Sequence, residues 1–249
     1  MALTPPLLAF EDVSKSYPDG IRDVVVLDRV SFEVHAGVFV GILGERRSGK
    51  STLLRLAAGI EAPTTGTVRF EGVDLASMSS VRREQLLRHD VALMSVQDWS
   101  PNQNESVIDY VALSLGSDGS SLRDARYRAR RVLARVGMSS RADDPARSLS
   151  LVEQARVVLA RTLVREPSLL LVDEPAAMPS LSERDEFCAL LRSLAAEQNI
   201  TLVVASEEMA PLHGAGVLMS IGDGELCSTD EQASVVQLPR RRASGAERG

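Results

Sequence analysis

Lysine is almost missing from this sequence. Of its 28 basic residues only Lys15 and Lys50 are lysines, the rest arginine. A chain that uses arginine nearly everywhere keeps lysine where a slim, flexible ammonium is needed and a planar fork does not fit. Cysteine is also scarce. Cys188 and Cys227 are far apart in sequence and in apolar surroundings, so reduced core thiols are expected rather than a disulfide. No apolar run reaches the length of a membrane span, and Met1–Pro6 has neither a basic flank nor an apolar signal region. A cytosolic chain is expected, with any membrane role coming through a partner. The net charge of −6 argues against nucleic acid as that partner. There are no internal repeats. What remains is ample for one large domain or a core with a sub-domain: 249 residues, 44% of them hydrophobic.

The second lysine explains itself. Gly44-Glu45-Arg46-Arg47-Ser48-Gly49-Lys50-Ser51-Thr52 has the spacing GxxxxGKS/T of a phosphate-binding loop. The apolar run Val38 to Leu43 before it reads as a buried parallel strand. Leu53, Leu54, Leu56 and Ala57 after it sit at helical spacing. That context matters, because phosphate oxygens need backbone N–H groups at a helix N-terminus. Gly44, Ser48, Gly49 and Thr52 would join Lys50 and Ser51 in binding the nucleotide's phosphates and magnesium, with Lys50 reaching the outer phosphates and Ser51 placing its hydroxyl on magnesium.

Along the chain, Leu8–Val13, Val24–Leu27 and Val30–Val34 read as three short strands, and Thr67–Phe70 as another. Together they predict a small antiparallel sheet beside a parallel core. Ser79–His89 reads as a charged helix and Val91–Val96 as a buried strand ending at Gln97. From about 99 to 150 the chain is polar and turn-rich, then helical, with Leu122, Ala125, Ala129, Val132, Leu133 and Val136 on one face. This stretch is expected to be an inserted helical sub-domain. A helix over Ala155–Val164, an apolar strand Leu169–Val172, a helix carrying Phe187, Leu190, Leu191 and Leu194, and a strand Ile200–Ala205 follow. Val217–Ile221 and Glu225–Cys227 form a hairpin around Gly222-Asp223-Gly224. The expected domain spans 1–236, with a disordered, arginine-containing tail over 237–249.

Asp173 and Glu174 end the apolar strand. A carboxylate there suits a magnesium shell, and a second beside it suits a general base for water; the alternative is an acidic helix-capping pair. The loop alone implies only a nucleoside triphosphate. The order of motifs, however, resembles the ATP-binding-cassette ATPases from about Leu8 to Thr229. The resemblance implies a RecA-like α/β core bearing a phosphate loop, a small antiparallel β subdomain and an inserted α-helical subdomain. It implies ATP and Mg2+ as ligands. Tyr17 looks like the aromatic that stacks on adenine, and Gln97 like the glutamine that touches magnesium and the attacking water. Leu149-Ser150, followed by Gln154 and Arg156, falls where the family carries its LSGGQ signature. On this reading Arg47 and Ser150 join the nucleotide-binding residues, Ser51, Gln97 and Asp173 hold the metal, and Glu174 and Gln97 are catalytic. The stretch Ser77–Gln97 looks most like cassettes of lipoprotein-release, macrolide-export and cell-division type.

The departures are equally informative. Leu151 and Val152 replace both signature glycines, adding side chains and restricting the backbone. Ser206 stands where the family has its switch histidine, and His213 lies too far along to substitute. Ser180 stands at a usual aspartate, and Arg47 replaces a frequent glycine. Such cassettes act as head-to-tail pairs, each site joining one subunit's loop to the other's signature. The resemblance therefore implies a peripheral subunit at the cytoplasmic face of the membrane. It would work with a separate permease and, more readily than with itself, with a second and complete cassette. Its ATPase would be weak or asymmetric. The alternatives are a nucleotide-holding pseudoenzyme that regulates or scaffolds such a partner and, further off, a soluble cassette protein with no transport role.

Overall fold

The computed structural model describes residues 5–20, 22–102, 104–116, 121–175 and 180–228. The expected tail over 237–249 lies outside the described residues. Two sheets organise the chain. The smaller is antiparallel, in the order β2-β1-β4-β5, from β1 Leu8–Asp19, β2 Arg22–Val34, β4 Thr65–Phe70 and β5 Val73–Asp74. The larger contains β3 Phe39–Gly44, β6 Val91–Ser95, β7 Leu169–Asp173, β8 Thr201–Ser206, β9 Val217–Gly222 and β10 Glu225–Ser228. Its order is β10-β9-β3-β8-β7-β6, and all pairs are parallel except β9 with β10.

The first strands correct the expectation of three short ones. β1 and β2 are long and run past polar stretches that read as breaks, because β-bulges absorb them. Register shifts fall between Phe10 and Val13, Val13 and Lys15, and Lys15 and Ser16. Asp12 and Arg29 take φ of 49° and 48° there. The backbone N–H of Asp12 donates to Ser31 Oγ and that of Arg29 to Ser14 Oγ, each at 2.9 Å. Serine hydroxyls thus replace the missing ladder partners, and the strands need not end.

The parallel strands are apolar throughout because both faces are covered. Leu169 and Leu171 of β7 and Val203 and Ala205 of β8 face one core, shared with the small sheet and α1 Lys50–Ala57. Leu170 and Val172, with Leu202 and Val204, face the other. That second core takes in the helical part: α3 Val107–Ala112, α4 Leu122–Arg135, α5 Leu151–Leu163 and α6 Leu181–Glu197. α2 Ser80–His89 precedes β6. The hairpin of β9 and β10 turns through Asp223 and Gly224, both at positive φ (49° and 80°), as a two-residue turn requires. It docks on β2 by the bond from Asp28 N–H to Gly224 O at 2.8 Å. Both cysteines are free, but only Cys188 is a core thiol. Cys227 is exposed, because it lies on an edge strand whose outer positions face solvent.

Candidate functional site

The loop between β3 and α1 is shaped from both ends by lack of space. A Cβ at Gly44 would stand 2.5 Å from Ile221 Cγ2 and 2.6 Å from Ser48 Oγ. A Cβ at Gly49 would stand 2.9 Å from Val26 O, and Gly49 has φ +104°. The two glycines therefore let β9 and β2 close around the loop. Arg47 between them takes φ 66°, so successive N–H groups turn toward one concavity. α1 differs from the other helices. Ser79, Ser106, Ser121, Ser150 and Ser180 each cap a helix by accepting a backbone N–H three residues on. α1 begins at Gly49 with no side-chain cap, which leaves its first N–H groups for a ligand.

Lys50 is only 5% exposed. Its Nζ donates to the carbonyls of Gly44 and Glu45, both at 2.8 Å. It also lies 3.2 Å from Glu174 Oε1. This is an ion pair without hydrogen-bond geometry, since that oxygen is buried and accepts no hydrogen bond. Glu174 follows β7 at φ 48°. Its N–H donates to Ala205 O at 3.0 Å, and its Oε2 accepts the N–H of Glu207 at 3.2 Å. The order of strands β3-β8-β7 is what brings the loop and the carboxylate together across the sheet's end.

A cleft of ≈ 410 Å³ lies here, lined by Arg46, Arg47, Lys50, Ser51, Thr52, Gln97, Glu174 and Glu207 among others. A larger one of ≈ 890 Å³ adjoins it on the far side of the loop and shares Arg46, Arg47 and Glu207. A third, ≈ 320 Å³, between β6 and the helical part, contains none of the expected site residues. Ser48 Oγ and Asp173 Oδ1 are buried without a hydrogen-bond partner. Among the described residues there is no cluster of three or more His, Cys, Asp or Glu fit to hold a metal. Ser51 and Gln97 line the cleft and Asp173, at the end of β7, does not; a hydroxyl, an amide and one carboxylate would be the sparse hard-oxygen set that suits Mg2+ shared with substrate phosphates.

Tyr17 sits beside α1 rather than in the cleft lining. Its hydroxyl donates to Glu61 Oε2 at 2.6 Å and lies 3.5 Å from Thr52 Oγ1. The other lysine serves this corner: Lys15 Nζ donates to Ala62 O at 2.9 Å, pairs with Glu61 at 3.2 Å and lies 4.9 Å from the Tyr17 ring centroid. Burial pushes the Glu61 carboxyl up, but the bonds from Tyr17 and Lys15 outweigh it and hold the group below the usual range. Ser150 caps α5 and does not line the cleft. Ser206 is fully buried and its Oγ accepts the N–H of Glu208 at 3.1 Å. His213 is exposed and does not line the cleft. Arg46 and Glu207 do line it and were not among the expected site residues. Glu207 had one sequence signal, an acidic residue directly after the switch position.

Fold and loop together define a phosphate-loop nucleotide-binding domain built on a mainly parallel sheet. The chain belongs to the ABC transporter family, whose match spans residues 27–177, and it is an ATP-binding subunit of that family. It is 33% identical over 202 residues to the lipoprotein-releasing system ATP-binding protein LolD of Chromohalobacter salexigens, covering 81% of this chain and 85% of that one. It is 31% identical over 236 residues to the macrolide export ATP-binding/permease protein MacB of Rhodopirellula baltica, covering 94% of this chain and 34% of that longer one. The methionine import ATP-binding protein MetN 1 of Shouchella clausii is 32% identical over 204 residues, with coverages of 82% and 58%. Among solved structures, the dimeric MJ0796, a bacterial ABC transporter cassette, superposes with a TM-score of 0.79 at 24% identity, over 88% of this chain and 96% of that one. That likeness is one of fold.

Proposed function

We propose that this chain binds and hydrolyses ATP to power a separate membrane permease of lipoprotein-release or macrolide-export type, paired with a second, complete cassette. The observation that carries the reading is Lys50, buried in the loop and 3.2 Å from Glu174 at the end of β7. Lys50 and the free N–H groups of α1 bind the phosphates. Ser51, Gln97 and Asp173 hold Mg2+, which when bound neutralises charge developing on the phosphate oxygens. Glu174, pinned by the Glu207 N–H, orients and deprotonates the attacking water. Tyr17 offers its ring beside the loop for the base.

Pairing with a different cassette follows from Ser206 and from Leu151-Val152. Ser206 is buried and bonded to backbone, so it delivers nothing to the cleft. Leu151 is 57% exposed at the start of α5, where a partner's phosphates would have to approach. Each lost polar contact to the transition state costs about 10²–10³ in rate. A homodimer would carry both losses in both sites, whereas a heteromer divides them. Among the described residues no helix is long and apolar enough to cross a membrane, which fits peripheral attachment at the cytoplasmic face through a permease. The same losses favour the second reading, a nucleotide-holding regulator of a complete partner.

The test is ATP turnover of the purified chain alone and with the cassette and permease that copurify from mild detergent, alongside K50A and E174Q. Partner-dependent turnover that both substitutions diminish is expected. A robust, Glu174-dependent homodimer would remove the heteromer. Unchanged binding of a fluorescent ATP analogue in K50A would remove the loop from the site.

A further inference from the structure

Two guanidiniums in the cleft are uncommitted among the described residues. Arg46 and Arg47 line it, both are exposed, and among the described residues neither side chain has a hydrogen bond or ion pair. Lys50 is by contrast fully engaged, by two carbonyls and Glu174. The cleft therefore holds uncommitted positive charge on the loop, and none where β8 ends at buried Ser206 and exposed Glu207 follows. Arg47 is the more telling of the two. Its φ of 66° lies in the left-handed region, where a β-carbon is strained and glycine is not. Arg46 has ordinary backbone. A long charged side chain kept where glycine would relax the loop points to a use for that side chain.

We propose that Arg47 contacts the terminal phosphate of ATP and supplies from within the loop the positive charge that the segment after β8 does not bring. The proposal rests on the ATP-binding reading above. A guanidinium suits the task because its planar fork meets two phosphate oxygens at once. The position suits it as well, since Arg47 lies three residues before Lys50 on the same loop, and both border one cleft. The consequence is a nucleotide preference: Arg47 acts on ATP but finds no terminal phosphate in ADP.

The experiment uses the full chain. R47G and R47Q are titrated with ATP and with ADP at fixed Mg2+ and ionic strength, and their thermal midpoints are measured without nucleotide. The expected result in both variants is a fall of about tenfold or more in ATP-over-ADP preference, with ADP affinity within about twofold of the parent. R47G should melt no lower than the parent, because glycine relieves the left-handed backbone. That combination separates a lost contact from a damaged loop. An unchanged ATP-to-ADP ratio in R47G overturns the proposal, as does an equal loss for both nucleotides, which would make Arg47 a loop-shaping residue. A preference retained in R47Q excludes the charge. If the parent chain binds neither nucleotide, the ATP-binding reading itself fails, and K50A then has nothing to abolish.

Discussion

Replacing Glu174 by glutamine should tighten nucleotide binding while it removes the base. In the free chain Lys50 Nζ and Glu174 Oε1 are 3.2 Å apart, with side-chain exposures of 5% and 32%. Unit charges near this separation attract by about 4 kcal/mol at an effective dielectric of 20. Solvent around the carboxylate and the cost of desolvating it reduce the net value to about 1–2 kcal/mol, between exposed and buried pairs. A phosphate that recruits Lys50 must compete with this pair and must also approach a second negative charge. Glutamine removes both obstacles and still accepts the Glu207 N–H, which Glu174 Oε2 now takes at 3.2 Å. ATP should therefore bind about 5–30-fold more tightly to E174Q. The gain should shrink as salt shortens the Debye length from about 10 Å at 0.1 M to about 3 Å at 1 M. The same pair is lost from the free chain, so the nucleotide-free melting midpoint should fall by roughly 2–8 °C. Titration calorimetry at two ionic strengths, with thermal melts, reads both quantities. Equal or weaker ATP binding in E174Q, with Lys50 intact, would refute the idea that the ion pair competes with phosphate.

Two further outcomes are expected. G49A places a methyl 2.9 Å from Val26 O at φ +104°; it should cost about 2–4 kcal/mol and lower the thermal midpoint by roughly 4–16 °C, and a stable G49A would show that β2 does not press on the loop. Asp109 of α3 pairs with Arg126 of α4 at 2.6 Å, and that bond holds its carboxyl below the ordinary range of 3.8. A depressed carboxylate stabilises the fold above its unfolded pKa and loses that contribution as pH falls through the folded one. D109N should thus melt below the parent at pH 7, and the gap should narrow as pH falls below 3.8; a gap constant with pH would remove the ion pair as its cause.

The parallel core was legible because its strands are buried on both faces and so are apolar without interruption, as in Leu169–Val172. The loop was legible because Gly44, Gly49 and Lys50 each answer a separate physical demand. β1 and β2 were not, because bulges at Asp12 and Arg29 let polar residues stay inside a strand, and the partners that permit this, Ser31 and Ser14, are 19 and 15 residues away. Cys227 was misplaced for a related reason: apolar neighbours in sequence do not bury an edge strand. Within the cleft, Glu207 acts on Glu174 through its backbone N–H. Any residue other than proline could do so, and a contact of that kind leaves no residue-type signal.

The changes at the start of α5 bear on whether this chain is decayed or specialised. Ser150 and Glu153 form a reciprocal capping box, with the Ser150 N–H on Glu153 Oε2 at 2.8 Å and the Glu153 N–H on Ser150 Oγ at 3.4 Å. Arg141 adds an ion pair to Glu153 at 3.3 Å. The Ser150 N–H first, and then the Ser150 hydroxyl and the charges of Arg141 and Arg156, favour the ionised carboxylate and hold the Glu153 carboxyl below its usual range despite its burial. Leu151 and Val152 then stand at the first two helical positions, where glycine would cost helix stability of roughly 0.5–1 kcal/mol each. By its own thermodynamics this end of α5 is better built with leucine and valine than with two glycines. The penalty of the substitution falls instead on whatever must approach Leu151 from outside. The loop shows the opposite balance: Arg47 strains the backbone and adds charge to the cleft. The start of α5 is thus favoured locally as it stands, whereas Arg47 holds the loop in the left-handed region beside the cleft. On the pairing proposed above, a cassette that keeps its own nucleotide and leaves the opposite site to a partner would need this division, whereas decay alone would relax both.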